Sequence, residues 1–406
     1  MEQTNYKHTP RAVWAVFWSF LIISAGNYVS QFMSLYLTGS LGLRPGYSGT
    51  IVSLAGIASM PGIILGGILC DKWGRKKAFT AFQLCAIIVV IVMVLFENEV
   101  VTPIMVICNS FFISAIHPIC NATIFQATDE HNKSDGLALF LNGMYVGYVL
   151  SGIGCALWFA KYYRILFIAE ASLKAVSIIV FNLGIGSNEE KKDSSNEVKE
   201  DKKKEKAEEH NLFYILWKSP MLILYSISCI LFSIIYTQSA YSLPIQLSHT
   251  YGKDGSSLYG TIMVVNALLI ILGSRYIGRL IRGRNILNII IISGILVGGM
   301  GLLWISADPI TILVSTVLWS LAYVINMPLS GVYIESYSPP NMTGRFASLI
   351  KIVTGSGYAL GPILFGNIIE RKGVQSVWFV CILLTCVNIV VLIAMKRKER
   401  SLLKRS

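Results

Sequence analysis

Two stretches of the chain, 13–32 and 286–305, run for twenty residues each without a charged side chain. A helix of about twenty residues covers the roughly 30 Å hydrocarbon core of a bilayer. Similar runs recur along the whole sequence, and they constrain the fold more than any other feature. In hydrocarbon every backbone N–H and C=O must find a partner inside the protein, so helices are the expected solution. Only 14% of the 406 residues are Asp, Glu, Lys or Arg, against about a quarter in soluble domains. We therefore expect an all-α, multi-pass membrane protein whose main surroundings are the lipid bilayer. Twelve spans are predicted, near 12–37, 47–70, 78–96, 101–127, 137–160, 164–184, 219–247, 257–280, 286–306, 309–335, 346–368 and 376–395. The first is too long for a signal-peptide core and lacks a clear cleavage site, so it is read as a retained helix.

The net charge of +12 does not point to nucleic acid, because its placement follows the membrane. Of the 34 Lys and Arg, 27 fall in the termini and alternate loops assigned to one side, and six on the other. The remaining one, Lys174, lies deep inside span 6. Such an imbalance places the basic side, and with it both termini, in the cytoplasm. The plasma membrane is the expected location. The stretch 188–211 is dense in both charges and nearly free of large apolar residues, so it cannot fold alone. It reads as a cytoplasmic linker between an N-terminal half, 1–187, and a C-terminal half, 212–406.

The eight cysteines lie in or beside apolar segments and form no CxxC pair. Small packing residues are the simplest reading of them. No histidines have metal-ligand spacing and no phosphate-binding loop is present, so neither a metal site, a cofactor, an enzyme nor ATP as energy source is expected.

Spans 2 and 3 are joined by Gly66-Gly67-Ile68-Leu69-Cys70-Asp71-Lys72-Trp73-Gly74-Arg75-Lys76-Lys77. The two glycines thin the helix end for a close neighbour. Gly74 permits a backbone conformation that a Cβ would resist. The spacing Gly-x-Leu-x-Asp-Lys-x-Gly-Arg-Lys resembles the loop between helices 2 and 3 of the major facilitator superfamily of transporters. The halves also repeat weakly. Ser34-Leu35-Tyr36 and Tyr47-Ser48-Gly49-Thr50-Ile51 are echoed by Ser242-Leu243-Pro244 and Leu258-Tyr259-Gly260-Thr261-Ile262. Pro118 is matched by Pro328. The second copy of the loop is degenerate, with Arg282 where Asp71 stands in the first.

The resemblance implies two six-helix bundles that work by alternating access about a midplane site. It implies a conformational gate formed by Gly67, Asp71, Gly74, Arg75 and Lys76. It also implies that spans 1, 4, 7 and 10 line the substrate cavity. These carry Asn27 and Gln31; His117 and Asn121; Gln238 and Tyr241; and Tyr323 and Asn326. Each amide is equally an interhelical hydrogen-bonding group. His117 is a candidate for proton coupling, since an unperturbed imidazole titrates near about 6.5; the alternative is a neutral packing histidine. Glu170, four residues before Lys174 in span 6, is a second candidate, with a structural ion pair as its alternative.

Two features depart from proton-driven drug antiporters of this superfamily. Their span-4 arginine has no counterpart in 106–112, and the glycine-rich run of span 5 lacks its proline. Even so, the expected function is transport of a small molecule, as a monomer, with protons as the coupling ion and sodium as the alternative. Export of a drug-like or small neutral compound comes first. Uptake of a nutrient such as a sugar or amino-acid derivative is the alternative, and a non-transporting sensor a remote one.

Overall fold

The computed structural model describes residues 9–129, 132–186, 219–281, 284–338 and 343–403, and among them there is helix but no strand. The stretch 188–211 and Arg282 lie outside the described residues. Among the described residues ten helical stretches, some of them interrupted by the breaks given below, are long and apolar enough to cross a membrane. Large apolar side chains such as Ile64, Leu95, Leu157, Ile310 and Val390 stand exposed on them, which suits lipid and would be a liability in water.

The predicted first span is in pieces. α1 (Arg11–Ala25) is followed by the single turns α2 (Tyr28–Gln31) and α3 (Met33–Leu35) and by a π-helical turn, Tyr36–Ser40. α4 (Pro45–Trp73) and α5 (Arg75–Leu95) are separated by Gly74 alone. The fourth predicted span divides into α6 (Val101–Ser114) and α7 (Ile116–Ala127). Its cause is Pro118, whose ring clashes with the carbonyl four residues back, that of Ser114.

Predicted spans 5 and 6 run together as α8 (Lys133–Gly184), 52 residues interrupted by non-helical Tyr162. Unbroken, it would be about 78 Å long, more than twice the hydrocarbon thickness. α9 (Pro220–Tyr236) gives way to a 3-10 turn, Thr237–Ser239, before α10 (Ser242–Tyr251). Here Pro244 has the same effect as Pro118. α11 (Asp254–Ile281) and α12 (Ile286–Leu296) follow, then a glycine-rich 3-10 turn, Val297–Gly301, and α13 (Leu302–Ile305). α14 (Pro309–Tyr337) starts where the Asp308 carboxylate accepts from the Ile310 and Thr311 amides. α15 (Thr343–Lys372) and α16 (Gln375–Leu403) complete the chain.

Packing groups the chain into two compact units: Met1–Ser194 with Leu243–Ile271, and Ser195–Ser242 with Leu272–Ser406. A division at the charged stretch alone would have left Leu243–Ile271 with the C-terminal half. Its place in the first unit follows from backbone proximity. A Cβ on Gly260 would lie 2.4 Å from the Ala156 nitrogen, and the Tyr259 ring stands edge-on to Phe32 at 5.6 Å.

The core of the first unit joins α1, α4, α5, α7 and α8 through residues such as Phe20, Phe79, Ile119 and Phe181. Phe79 stacks on Phe181 at 3.8 Å. That of the second centres on Tyr225, Ile290, Leu329, Tyr333 and Leu392. Glycines set the closest helix contacts in each. Gly143 and Gly147 lie against Phe17 and Ser24 of α1, and Gly357 and Gly361 against Ile230 of α9 and Thr237.

Of the two loop-motif glycines, Gly66 makes the close approach. A Cβ there would lie 2.3 Å from the Ala115 carbonyl oxygen, whereas nothing lies within 4 Å of one on Gly67. Gly66→Ala should lower unfolding stability by about 1–3 kcal/mol through overpacking, and Gly67→Ala should leave it nearly unchanged. Thermal melts of the two purified variants in one detergent check the contrast.

Candidate functional site

In the first unit, the interruption of the first helix carries Asn27 and Gln31. Asn27 is buried and precedes α2. Gln31 accepts a 2.7 Å hydrogen bond from Ser151 Oγ of α8. The two amides are thus spent differently: Gln31 joins two helices, and Asn27 sits at the break.

His117 and Asn121 follow the break at Ala115 and are half-buried. The His117 ring stands against Phe20 at 4.9 Å and Phe140 at 6.2 Å. These aromatic contacts are the interactions it makes among the described residues.

Glu170 and Lys174 are almost completely buried, at 0% and 1% exposure, with Lys174 Nζ 2.5 Å from Glu170 Oε1. Lys174 also donates to Asn109 Oδ1 at 3.1 Å. Glu170 Oε2 accepts from the Val29 amide at 2.8 Å, and Asn109 Nδ2 donates to Ser30 Oγ at 3.4 Å. The four-residue spacing made the pair visible in sequence. Nothing local marks Asn109, Ser30 or the Val29 amide as its partners, because these lie on other helices.

The second unit offers an aromatic corner. Tyr236 stacks on Tyr323 at 4.7 Å with 19° between the rings. Trp319 and Tyr358 stand edge-on to Tyr236, at 5.6 and 6.2 Å. Trp319 is 1% exposed, while Tyr236, Tyr323 and Asn326 are half-buried. Gln238 and Tyr241 are buried. The Gln238 amide is spent within its own segment, donating to the Ile234 carbonyl at 2.8 Å and accepting from Ser242 Oγ at 2.6 Å. The resemblance placed Tyr323 among the cavity candidates; it gave no reason to single out Trp319 as the buried ring at its side.

In the loop motif, Gly74 has φ 81° and ψ 158°, a region that side-chain-bearing residues rarely adopt. Asp71 is exposed in the last turn of α4, Arg75 is buried at the start of α5, and Lys76 is half-buried.

A further polar cluster was not foreseen. Glu97 accepts from the Tyr36 and Tyr163 hydroxyls at 3.2 and 2.8 Å and from Arg164 Nε at 2.8 Å. Close by in sequence, Ser40 and Gly39 line a cavity of about 260 Å³ with Ala160, Ser248, Lys253 and Ser256. Among the described residues no group of three His, Cys, Asp or Glu side chains is placed to hold a metal.

The family model described as Major Facilitator Superfamily matches residues 15–362, and the chain belongs to that superfamily. Solved structures with this fold include a mutant of the nucleoside transporter NupG, at 17% identity and TM-score 0.79, covering 95% of this chain and 99% of that one. A POT family transporter in complex with 5-aminolevulinic acid is similar at 14% identity and TM-score 0.72, covering 95% of each chain. The peptide transporter POT in complex with sulfate gives 14% and 0.74, covering 96% of this chain and 95% of that one. No protein of curated function matches by sequence. The chain is a membrane transporter of small molecules, not an enzyme.

Because Trp319 is buried and stands edge-on to Tyr236, Trp319→Ala should cost about 3–5 kcal/mol of stability. Trp319→Phe, which keeps an edge for Tyr236, should cost much less. Denaturation followed by tyrosine-region circular dichroism compares the two.

Proposed function

We propose that this transporter exports a small, neutral, ring-bearing compound in exchange for protons, by alternating access. The observation that carries the substrate class is the half-buried Tyr236–Tyr323 stack, with buried Trp319 edge-on to Tyr236. Aromatic clusters attract a further planar ring through edge or face contacts. The neighbouring half-buried Asn326 amide offers hydrogen bonds without charge. Twelve crossings are the matching count, with α8 taken twice, the interrupted first helix once, and α9 with α10 as a single crossing. Both termini would then face the cytoplasm, with the chain working as a monomer in the plasma membrane.

His117 is the proposed proton carrier. Its ring nitrogens are not committed to hydrogen bonds among the described residues, whereas both Glu170 oxygens are engaged. Asp71, exposed beside buried Arg75 across the one-residue turn at Gly74, is proposed as the movable part of a gate with Gly67, Arg75 and Lys76. The 188–211 stretch is proposed as a passive linker.

Uptake by proton symport is the second reading, and Asn109 favours it. This neutral amide stands in the span-4 region where drug antiporters of the superfamily carry arginine, and it is committed to Lys174. The similar NupG structure is titled a nucleoside transporter, so nucleosides belong in the substrate panel.

The deciding experiment places the purified protein in liposomes holding a pH-sensitive dye. An inward proton gradient is imposed and nucleosides, planar drugs, sugars and amino-acid derivatives are added in turn. Export by exchange predicts proton movement against the direction of a ring-bearing compound. Parallel movement would establish symport, and compound flux without proton movement would overturn coupling. In the same assay His117→Gln should leave downhill flux but abolish its response to the gradient. Asp71→Asn should slow turnover about tenfold, equivalent to about 1.4 kcal/mol on the barrier, with normal membrane insertion.

A further inference from the structure

The break in the first helix is held from outside. In a continuous helix the Val29 amide would pair with the Ala25 carbonyl four residues back. Here the Tyr28 amide turns back onto the Gly26 carbonyl at 2.8 Å, and the Val29 amide is delivered to Glu170 Oε2 at 2.8 Å. Non-helical backbone at membrane depth persists only where protein groups satisfy it. Glu170 is therefore an N-terminal cap for α2, supplied by another helix.

A second arm reaches the same four residues. Lys174 binds Asn109 Oδ1, and Asn109 Nδ2 donates to Ser30 Oγ. An i,i+4 Glu–Lys pair can neutralise itself without any third partner. Instead, Glu170 reaches α2 directly, and Lys174 reaches it through Asn109 of α6. Gly26 makes the approach possible: a Cβ there would lie 3.3 Å from Glu170 Cα and 2.9 Å from Leu173 Cδ1.

We propose that Glu170, Lys174 and Asn109 form a clamp that keeps the first helix open at the break. Glu170 is then a positioning residue for transport, because α2 ends in Gln31 and follows Asn27. The clamp stands apart from proton transfer at His117, and its test needs neither substrate nor gradient.

Amide hydrogen exchange of the full chain in lipid nanodiscs, read on peptides covering residues 24–33, tests it. Two double variants remove the buried charges together, so that neither leaves an unpaired ion. Glu170→Gln with Lys174→Met keeps an acceptor for the Val29 amide. Glu170→Met with Lys174→Met does not. The clamp predicts exchange at 28–30 faster by about tenfold or more in the Met/Met protein and within about threefold of wild type in the Gln/Met protein. Control peptides from α12 should not change in either. Equal exchange in the two doubles, or faster exchange spread through α12, would assign the pair to general bundle stability and overturn the clamp. Should the Met/Met protein fail to fold, Gly26→Ala gives the same reading by separating Glu170 from Val29. Unchanged exchange at 28–30 in that variant would also refute the proposal.

Discussion

Backbone hydrogen bonding in an apolar medium is the constraint on which the rest of this structure depends. A helix in lipid satisfies itself, so each departure from helix must be answered by a side chain or a neighbouring segment. Three of the departures here are answered in this way. Glu170 takes up the amide freed near residue 26. The Ser114 hydroxyl, at the end of α6, shares its one proton between the Ser59 and Phe111 carbonyls beside the break imposed by Pro118. Gln238 bridges the irregular turn ahead of Pro244, with one end on Ile234 and the other on Ser242. The polar side chains at depth are in large part the groups that make broken helices tolerable, and this limits how many remain to meet a substrate.

That limit explains which features were legible in the sequence. Uninterrupted apolar length is a local property, so spans such as 47–70 and 309–335 match α4 (Pro45–Trp73) and α14 (Pro309–Tyr337) within a few residues. The break at Ala115 was legible in principle, since Pro118 disrupts the carbonyl of residue 114. The break after Ala25 was not. Gly26-Asn27 is a weak local breaker, whereas the groups we propose hold the break open, Glu170 and its neighbours, lie about 145 residues away and leave no local periodic signal. The same holds for side-chain roles. Their place in spans 1 and 7 made Asn27 with Gln31, and Gln238 with Tyr241, candidates for the cavity lining. Spacing cannot tell an amide facing open space from one occupied by Ser151 or by its own helix.

The glycines behaved in the opposite way, because their use is backbone proximity and proximity recurs by repeat. Gly143 and Gly147 bring the first limb of α8 onto α1, and Gly357 and Gly361 bring α15 onto α9. In each unit the fifth helix of the repeat packs on the first, at matching places. Small residues let van der Waals contact substitute for the hydrophobic drive that lipid removes. The internal repeat was faint in side-chain identity yet visible at these positions, since a glycine against a backbone cannot be exchanged for a larger residue.

Against that shared scaffold the two repeats hold their broken first helices with different chemistry. In the first, the break beside Asn27 is braced by a buried ion pair and an amide from α6. In the second, the break beside Thr237 is braced by neutral groups, Gln238 and Ser242, on the segment itself. A neutral brace made within one segment travels with that segment. A brace anchored on another helix resists displacement, because moving the first helix away leaves the Val29 amide and a buried carboxylate oxygen each without a partner at this depth. Any rearrangement of the first helix must therefore carry the second limb of α8 with it or find new partners for Glu170 and the Val29 amide. The second repeat is under no such obligation. The chain thus combines a repeated architecture with an asymmetric distribution of stiffness, and the asymmetry resides in two charged residues that the membrane would otherwise have excluded.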